Sequence, residues 1–581
     1  MKILLRLLVF ARKYWRWLLL ALICLLASSV FTLTVPRVLG NAIDATIGSG
    51  ERSFLWIAAG IVLAATALRG LSEYGSRYFR EYVSQKTSYD IRNAIYDKLQ
   101  RLSFSYHDQS QTGQLMSRAT VDVEAVRRFF GMGVLRVVEI IIMSIMVSWL
   151  LISINWELAL LTLAFMPVIG WRTVVINRRL RPIWLKVQQL MGVLGTTLEE
   201  NLIGIRIVKG FARQKEESRK FSGQATELYD QRINAARQMA INMPIILFLT
   251  TIPAVLIMWY GGRQVMAGSL TIGNLSEFIM YMGILAMPIR HLGMVVNIFS
   301  GTISSGQRIM EILDAQSPVE EKSGALELGD VNGTISFENV NFSYDSKVTA
   351  LQDIDFNVKP GQLVALLGSS GSGKSTIANL ICRFYDVTSG RITVDGVDIR
   401  DVTLSSLRRN IGAVQQDIFL FSSTVQGNIA YGATNADIDE VISAAKAAQL
   451  HDFIENLSEG YDTWVGERGI NFSGGEKQRL AIARTLLINP KVLILDDSTS
   501  SVDAETEHLI HQALDKLVQG RTTFIITHRL PIIKSADLIL VLDKGQIVER
   551  GKHDELITKD GLYRQIYDSQ LSANQNSARD S

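Results

Sequence analysis

This sequence of 581 residues has few cysteines, few charged residues and almost no net charge, and each of these shortages excludes a class of protein. The two cysteines, Cys24 and Cys382, lie far apart, which excludes a disulfide framework and a cysteine zinc site. The 59 basic and 56 acidic residues give a net charge of only +3, too balanced for a nucleic-acid partner. Charged residues make up 20%, against about 25% in soluble proteins, and 48% are hydrophobic, so membrane segments are expected and disorder is excluded.

The apolar residues are concentrated in six stretches, each near or above the roughly 20 residues that cross the hydrocarbon core of a membrane. These stretches are 17–39, 54–70, 131–154, 157–175, 244–260 and 275–299. Basic residues before the first stretch also suit a signal peptide, but this stretch is long and five more follow. The sequence therefore predicts a transmembrane domain of six helices.

Basic residues are distributed unevenly among the connections between these stretches. Nine Lys and Arg lie within 77–130, whereas the three short connections hold only Arg52 and Arg263. By the positive-inside rule, the N-terminus, the two long loops and the C-terminal half lie in the cytoplasm. We therefore expect a multi-pass protein of the plasma (inner) membrane.

The two long loops are patterned as helices that extend the spans into water. They are residues 71–130 and 176–243. In the first loop Ile91 and Ile95 are four residues apart, which is the helical period. Each loop breaks this pattern, at 111–113 and at 201–204, which indicates either a turn with a short crosswise helix or ordinary punctuation between helices.

The composition changes after the last apolar stretch. Residues 313–333 are polar and lack a period, which is typical of a linker. Strand-like and helical pieces then alternate over 334–571, the pattern of an α/β domain, and the tail 572–581 is rich in Ser, Asn and Gln, which predicts disorder. The predicted organisation is a transmembrane domain over 1–312, a linker, an α/β domain and a disordered tail.

A glycine-rich motif near the start of the α/β domain predicts phosphate binding. Gly-Ser-Ser-Gly-Ser-Gly-Lys-Ser-Thr matches G-x-x-x-x-G-K-[ST] and directly follows the apolar strand 362–367. The glycines let backbone N–H groups converge on phosphate oxygens, Lys374 can reach the β- and γ-phosphates, and Ser375 can ligate Mg²⁺. The predicted nucleotide-binding residues are Gly368, Ser369, Ser370, Gly371, Ser372, Gly373, Lys374, Ser375 and Thr376.

A second apolar strand ends in two carboxylates, Asp496 and Asp497. At such a strand end one acid is expected near Mg²⁺ and the other near the water that attacks the γ-phosphate. Alone, this pattern is weak evidence, because structural acids occur in the same position. Downstream of a phosphate loop it predicts an ATP-hydrolysing site.

The motifs that follow carry a family resemblance. Residues 473–476, Ser-Gly-Gly-Glu, open a helical run, and His528 follows a strand at 523–526. The order of phosphate loop, Ser-Gly-Gly-Glu signature, Asp-Asp strand and histidine resembles the nucleotide-binding domain of ATP-binding cassette (ABC) proteins. With six N-terminal spans, the chain resembles an ABC exporter half-transporter over nearly its whole length. The resemblance implies an α/β P-loop domain and ATP-driven export of an amphiphilic small molecule or lipid by alternating access.

The resemblance also implies roles for single residues. Tyr344 would stack on adenine, and His528 would contact the γ-phosphate. Ser375, Gln416 and Asp496 would hold Mg²⁺, Asp496 through a water molecule. The implied catalytic residues are Asp497, His528 and Gln416. The residues expected to contact ATP held by a second subunit are Ser473, Gly474, Gly475 and Glu476. One chain could then not complete its own site, and the expected partner is a second half-transporter.

Four further segments match exporter features by position. Thr112–Arg118 and Asn201–Phe211 fall where exporters carry their coupling helices. Residues 463–469 resemble the segment that connects the nucleotide-binding domain to the membrane helices, and 500–503 resemble the D-loop that crosses the interface between two such domains.

Two departures from the family pattern bear on activity. The signature has Phe472 and Glu476 where Leu and Gln are usual, but its serine and glycines are kept. Asp497 stands where most members carry glutamate, which sets the carboxylate about 1.5 Å further back. A displacement of about 1 Å can lower a rate on the order of a hundredfold. This resembles the slow-site subunit of heterodimeric exporters, although many such subunits lose the histidine found here at His528. A heterodimer is somewhat favoured over a homodimer.

The spans themselves carry few polar side chains. Glu139 is the best candidate for a polar point in a translocation path, whereas Arg136 and Arg172 also suit a membrane boundary. The aromatic and methionine residues within 278–287 suit the lining of an adaptable apolar cavity. Packing between helices is the more frequent use of such residues.

Two other functions share these motifs. One is an ATP-gated channel or regulatory membrane protein in which weak hydrolysis only times opening. The other is a transporter of exporter fold that imports a siderophore-like compound. The sequence identifies neither the substrate nor the direction of transport.

Overall fold

The computed structural model describes residues 2–49, 53–345, 348–433, 435–466, 469–496, 504–527 and 529–577. By its internal contacts the chain forms two units. The helical unit comprises Met1–Gln100 and Thr112–Ala315, and the mixed unit comprises Arg101–Gln111 and Gln316–Ser581. The predicted order of a helical domain and then an α/β domain is confirmed. The predicted boundary is corrected at one point, because Arg101–Gln111 belongs with the mixed unit.

Long helices make up the N-terminal half. They are α1 (Lys2–Arg12), α2 (Trp15–Ser49), α3 (Ser53–Arg101), α4 (Phe104–Gln109), α5 (Thr112–Ser117), α6 (Val123–Arg128), α7 (Val134–Ile154), α8 (Trp156–Leu163), α9 (Phe165–Ile203), α10 (Ile205–Gly210), α11 (Gln214–Leu256), α12 (Gly262–Met266) and α13 (Ile272–Asp314). Short π-helical turns, Arg118–Asp122, Phe129–Gly133 and Ile257–Gly261, join neighbouring helices. With 49 residues, α3 is about 74 Å long, more than twice the hydrocarbon thickness of a membrane. The predicted helical extensions beyond the spans are therefore present.

Five helical segments within the described residues are long and apolar enough to cross a membrane. They are Trp15–Ile47, Phe54–Arg101, Thr112–Ile154, Trp156–Ile203 and Gln214–Met266. The sixth predicted span, 275–299, lies inside α13, but the apolar segment found there, Ile272–Leu285, is too short by itself. The side chains of 286–292 lie outside the described set. A membrane helical domain is thus confirmed, whereas the count of six spans is not.

Two apolar clusters hold the helical unit together. One contains Leu33, Val147, Leu158, Ile257, Phe278, Tyr281 and Met282, and the other contains Leu7, Ile91, Ile95, Val126, Phe129 and Ile309. Ile91 and Ile95 are fully buried, which confirms the helical period of the first long loop. Phe278 and Tyr281 are also fully buried, so they pack helices together rather than line a cavity.

Helix α13 is fixed at both ends. At its first turn, the carboxylate of Asp44 accepts hydrogen bonds from the N–H of Gly273 at 2.7 Å and from the hydroxyl of Thr271 at 2.6 Å. Near its last turns, Arg308 donates to Asp122 at 2.8 Å, and Arg118 pairs with Glu311 at 3.2 Å. These contacts bind both ends of α13 to the rest of the helical unit.

Charged side chains within the spans find partners close by. Glu139 accepts hydrogen bonds from Arg136 on the same helix at 2.9 and 3.0 Å. Arg172 donates to the amide oxygen of Asn242 at 3.1 Å. A role for Glu139 in a translocation path stays a prediction, since its pairing with Arg136 already explains a carboxylate at this depth.

The mixed unit contains ten strands and ten further helices among its described residues. The strands are β1 (Ile335–Asp345), β2 (Val348–Val358), β3 (Leu363–Gly368), β4 (Ser389–Val394), β5 (Val397–Asp398), β6 (Ile411–Val414), β7 (Val492–Asp496), β8 (Thr522–Ile526), β9 (Leu538–Asp543) and β10 (Gln546–Gly551). The helices are α14 (Lys374–Ile381), α15 (Leu404–Arg409), α16 (Val425–Ile429), α17 (Ile438–Ala447), α18 (His451–Glu455), α19 (Gly474–Ile488), α20 (Ala504–Val518), α21 (Leu530–Ser535), α22 (His553–Leu556) and α23 (Leu562–Ser577).

The larger sheet has the strand order β10-β9-β3-β8-β7-β6, and all of its strands except β10 run parallel. Its central strand β3 is buried on both faces: Leu367 faces one apolar cluster, whereas Leu366 faces the other. This explains the uninterrupted apolar run in the sequence. The smaller sheet, β2-β1-β4-β5, is antiparallel. The carboxyl ends of β3, β8 and β7 therefore meet at one edge of the larger sheet, where ligands of such sheets bind.

The predicted linker and tail differ from expectation. The segment after α13 is irregular, as predicted, but Leu326 exchanges backbone hydrogen bonds with Asp401 and Thr403, each at 2.9 Å, so it is fixed to the mixed unit. Helix α23 continues to Ser577, which was not foreseen, and the disordered tail stays a prediction. Burial of Tyr563 in the core anchors the first turn of α23, and helix growth from an anchored turn is favourable even for polar residues.

The tight packing of α2 against α13 gives a first prediction. A methyl group on Gly273 would lie 2.1 Å from the carbonyl oxygen of Gly40, whereas one on Gly283 would meet nothing within 4 Å. We expect Gly273→Ala to destabilise the protein by about 1–3 kcal/mol through overpacking. Thermal unfolding in lipid nanodiscs measures the effect, with Gly283→Ala on the same helix as the control. Equal unfolding temperatures for the two variants would contradict this packing.

Candidate functional site

The turn between β3 and α14 requires glycine at two positions. Gly368 has φ +144° and Gly373 has φ +107°, values that residues with side chains rarely adopt. A methyl group on Gly368 would lie 2.2 Å from the carbonyl oxygen of Leu542, and one on Gly373 would lie 2.6 Å from the side chain of Leu351. This backbone turn at a helix N-terminus is the geometry that binds phosphate.

Lys374 lies folded over this turn. Its ammonium group donates hydrogen bonds to the carbonyl oxygens of Gly368 at 2.9 Å and Ser369 at 2.8 Å. Burial lowers the pKa of Lys374, and the nearby carboxylate of Asp496 partly opposes that effect. The ammonium group of Lys374 therefore lies against the phosphate loop and near the carboxylate of Asp496, which ends β7.

The three predicted Mg²⁺ ligands lie after or at the carboxyl ends of the parallel strands β3, β6 and β7. Asp496 is the last residue of β7 and lies opposite Ile526, which in turn lies opposite Leu366 of β3. Ser375 opens α14 and is exposed, as is Gln416 in the loop after β6. Hydroxyl, amide and carboxylate oxygens form a donor set that suits Mg²⁺. No cluster of three or more His, Cys, Asp or Glu that could hold a metal occurs among the described residues, so phosphate oxygens would have to complete the shell.

Tyr344 lies near the end of β1 with 47% of its surface exposed. Its hydroxyl lies 3.1 Å from that of Thr376 on α14, which ties this aromatic ring to the phosphate loop. Edge-to-face contacts with Phe342 and Tyr385 hold the ring, with centroids 4.8 and 5.1 Å away. The ring is thus fixed in place and still accessible.

The Ser-Gly-Gly-Glu signature forms the start of α19. The side chain of Ser473 accepts from the N–H of Glu476, and the carboxylate of Glu476 accepts from the N–H of Ser473 at 2.7 Å, a capping box. Glutamate and glutamine serve equally in this motif, which explains why Glu476 is tolerated. Phe472 is buried and meets Phe453 edge-on at 5.9 Å, so it replaces the usual leucine as a core residue.

Several predicted residues lie outside the described set. They are Asp497, His528, Ser500, Ser501, Val502, Asp503, Glu467 and Arg468. The catalytic roles predicted for Asp497 and His528 therefore stay predictions.

Sequence reasoning missed the aromatic contacts of α4. Phe104 stacks on Phe384 with ring centroids 4.1 Å apart, and the hydroxyl of Tyr385 donates to the carboxylate of Asp108. The segment predicted as a coupling helix, Thr112–Arg118, contains α5, and its Arg118 pairs with Glu311 within the helical unit, so its coupling role stays a prediction. The helix bound to the mixed unit lies a few residues earlier, and no local sequence pattern marks it.

The second predicted coupling segment, Asn201–Phe211, contains the short helix α10. Large apolar side chains on this segment are strongly exposed. They are Leu202 at 63%, Ile203 at 80%, Ile207 at 67% and Phe211 at 76%. Solvent exposure of such a patch is typical of a surface that contacts another protein.

Together, a membrane helical unit and an α/β unit with a phosphate loop define an ATP-dependent membrane transporter. Two family models match: the ABC transporter transmembrane region over residues 18–289 and the ABC transporter domain over residues 351–500. The chain belongs to the ABC transporter family, with both domains fused. ATP binding, ATP hydrolysis coupled to transport, and a multi-pass inner-membrane location with the nucleotide-binding domain in the cytoplasm are thereby confirmed.

Similar proteins cover almost the whole chain. An uncharacterized ABC transporter ATP-binding protein, YknU, of Bacillus subtilis (strain 168) is 38% identical over 96% of this chain and 95% of its own length. An ATP-dependent lipid A-core flippase of Syntrophus aciditrophicus (strain SB) is 37% identical, covering 97% and 94%. A bacterial Atm1-family ABC exporter solved with ATP bound matches with a TM-score of 0.80 at 31% identity, covering 96% and 98%. The chain is therefore an ABC exporter by fold and family.

The turn at Gly373 gives a second prediction. We expect Gly373→Ala to weaken ATP binding at least tenfold, roughly 1.4 kcal/mol, because the methyl group must displace Leu351 and distort the loop. Gly396→Ala is the control, since Gly396 also has a positive φ of +82° but open space around it. Fluorescent-nucleotide titration measures both affinities. Equal loss of affinity in the two variants would show that backbone strain alone, not the close approach, is responsible.

Proposed function

We propose that this chain is one half of a dimeric exporter that binds ATP with Mg²⁺ and moves an amphiphilic small molecule or lipid outward by alternating access. The proposal rests on two separate features of the chain: the phosphate loop at 368–376 and the exposed Ser473 and Gly474 of the signature. This arrangement suits a site that two chains share.

The environment of Gly474 supports sharing between two chains. A methyl group on Gly474 would meet nothing within 4 Å, so nothing inside this chain requires glycine there. Ser473 is exposed beside it at the N-terminus of α19. A helix N-terminus favours phosphate, and glycine permits the closest approach. The residue choice is thus explained by a ligand that another chain carries.

The exposed patch on Asn201–Phe211 also supports a second chain. Its four large apolar side chains need a covering surface, and each half-transporter would offer the other the same set. A partner with a glutamate in place of Asp497 would make a heterodimer, and an identical chain would make a homodimer. We retain the preference for a heterodimer, because Asp497 is one methylene short.

A cavity of about 570 Å³ in the helical unit supports an amphiphilic substrate. It is lined mainly by apolar side chains, among them Met132, Met239, Met243 and Met294. Methionine is flexible and polarizable, so it suits varied apolar ligands. The cationic Arg128 and the amide of Asn297 also line the cavity and suit a polar head group.

In the proposed cycle, Tyr344 stacks on adenine while the N–H groups of the phosphate loop and Lys374 bind the phosphates. Ser375, Gln416 and Asp496 would hold Mg²⁺, which when bound neutralises phosphate charge as the bond breaks. In a homodimer Asp497 would orient the attacking water, whereas in the preferred heterodimer the glutamate of the partner would do so at the partner's strand end; His528 would contact the γ-phosphate. ATP favours the closed pair of domains because it binds that state more tightly, and this differential affinity drives the spans.

The test of hydrolysis uses the purified chain alone in lipid nanodiscs, with Lys374→Ala as the blank and ATP binding measured separately. On the heterodimer proposal we expect binding without turnover, because the side chain of Asp497 is one methylene shorter than the usual glutamate. Asp497→Glu should then restore turnover by about a hundredfold. Turnover of the unmodified chain well above the blank would overturn the need for a partner and favour a working homodimer.

A further prediction tests whether the signature acts between chains. In the Asp497→Glu background, Gly474→Val should leave unfolding temperature and ATP affinity unchanged, since its surroundings within the chain are open. Turnover should fall at least tenfold, about 1.4 kcal/mol of activation free energy, because the side chain blocks the approach of phosphate. Gly329→Val, at another open glycine of the same unit, is the control. Unchanged turnover would contradict a role for Gly474 in a shared site.

A further inference from the structure

We propose that Tyr385 is a positioning residue that transmits occupancy of the adenine site to helix α4. The proposal rests on the ATP site proposed above and adds a direct connection from the base, rather than the phosphates, to the segment that continues α3. Its basis is the contact between Tyr344 and Tyr385 and the hydrogen bond from Tyr385 to Asp108.

The first link is aromatic. The rings of Tyr344 and Tyr385 meet edge-to-face at 87° with centroids 5.1 Å apart. Tyr385 is 9% exposed, whereas Tyr344 is 47% exposed, so one ring is enclosed and the other is open to a ligand. Because the ring of Tyr344 is already held against Tyr385, a base that stacks on its open face acts on Tyr385 through this contact.

The second link is polar. The hydroxyl of Tyr385 donates to the carboxylate of Asp108 on α4. Burial and this hydrogen bond raise the pKa of Tyr385, so the phenol keeps its proton at neutral pH and remains a donor. A hydrogen bond to a charged acceptor is stronger than one between neutral groups. Tyr385 therefore holds α4 at one defined point.

The third link is the ring stack beside it. Phe104 at the start of α4 lies on Phe384, with centroids 4.1 Å apart, and the guanidinium of Arg408 lies 5.3 Å from the centroid of that same phenylalanine. Arg408 also donates to the carbonyl oxygens of Cys382 and Arg383. The backbone around 382–385 is thereby held rigid, so a shift of Tyr385 is not absorbed locally.

The covalent chain completes the path. Helix α3, which contains the second predicted span, ends at Arg101, and α4 begins three residues later at Phe104. Displacement of α4 therefore acts on the end of α3. The phosphate loop reaches the same segment by a different route, because α14 begins at Lys374 and ends at Ile381, four residues before Tyr385. A probe that has phosphates but no base is therefore needed to separate the two routes.

Amide hydrogen exchange of the full chain in nanodiscs tests the proposal, with peptides 101–111 and 368–376 as reporters. Two Mg²⁺-bound probes are compared: a non-hydrolysable ATP analogue with a β,γ-imido bridge, and inorganic tripolyphosphate, which lacks the base. In the wild type both should protect 368–376. Only the ATP analogue should slow exchange in 101–111, by at least about fivefold, the low end of usual coupling between two sites.

Variants separate transmission from ATP binding. With Tyr385→Phe, the ATP analogue should still protect 368–376 but lose its effect on 101–111. Asp108→Ala should likewise abolish the protection of 101–111, and because Asp108 is exposed, this change should not impair folding. Asp108→Asn keeps an acceptor oxygen and should therefore retain protection of 101–111. Tyr563→Phe is the matched control, because it also removes one buried hydroxyl, which lies 2.6 Å from His553, in the same unit.

Two results would overturn the proposal. One is full protection of 101–111 by the ATP analogue in both Tyr385→Phe and Asp108→Ala. The other is equal protection of 101–111 by tripolyphosphate in the wild type, which would assign the signal to the phosphates. Absence of protection at 368–376 with either probe in the wild type would instead overturn the assignment of the ATP site itself, and with it this proposal.

Discussion

The close backbone approach at the β3–α14 turn is the constraint on which the ATP-binding unit depends. A Cβ on Gly368 would clash with the carbonyl oxygen of Leu542 on β9, and a Cβ on Gly373 would clash with the side chain of Leu351 on β2. The turn therefore lies where both sheets of the mixed unit converge, and neither sheet can shift without moving the phosphate loop. Because Asp496 ends a strand in register with the same sheet, the loop, its lysine and the carboxylate predicted to bind Mg²⁺ are positioned by one set of strand pairings.

The helical unit solves a different physical problem, since its spans must satisfy their polar groups without water. Backbone groups are paired within long helices, and the few charges pair locally, as Arg136 does with Glu139. Stronger polar contacts are kept to the ends of α13, where Asp44, Asp122 and Glu311 each hold a partner. A helix fixed at its ends and packed by apolar contacts along its length can move as a body, which alternating access requires.

The sequence predicted those features that local chemistry alone determines. Glycine spacing identified the phosphate loop, and apolar runs identified the membrane unit and the buried strand β3. The contact between Asp108 and Tyr385 joins residues 277 positions apart, so no local pattern could reveal it. The count of six spans is not confirmed, and the end of α23 at Ser577 was not foreseen, because composition measures hydrophobicity and polarity, whereas helix ends depend on what each helix packs against.

The two departures from the family pattern, which involve three residues, differ in consequence, and side-chain geometry explains the difference. Phe472 needs only to fill a core position, which many apolar side chains can do. Glu476 closes a capping box, and glutamate and glutamine have the same length and the same acceptor oxygen. Asp497 differs in kind, because a residue that orients a water must place its oxygen within a fraction of an ångström. Substitutions that preserve reach leave a signature intact, whereas one that shortens reach is expected to lower the rate of hydrolysis.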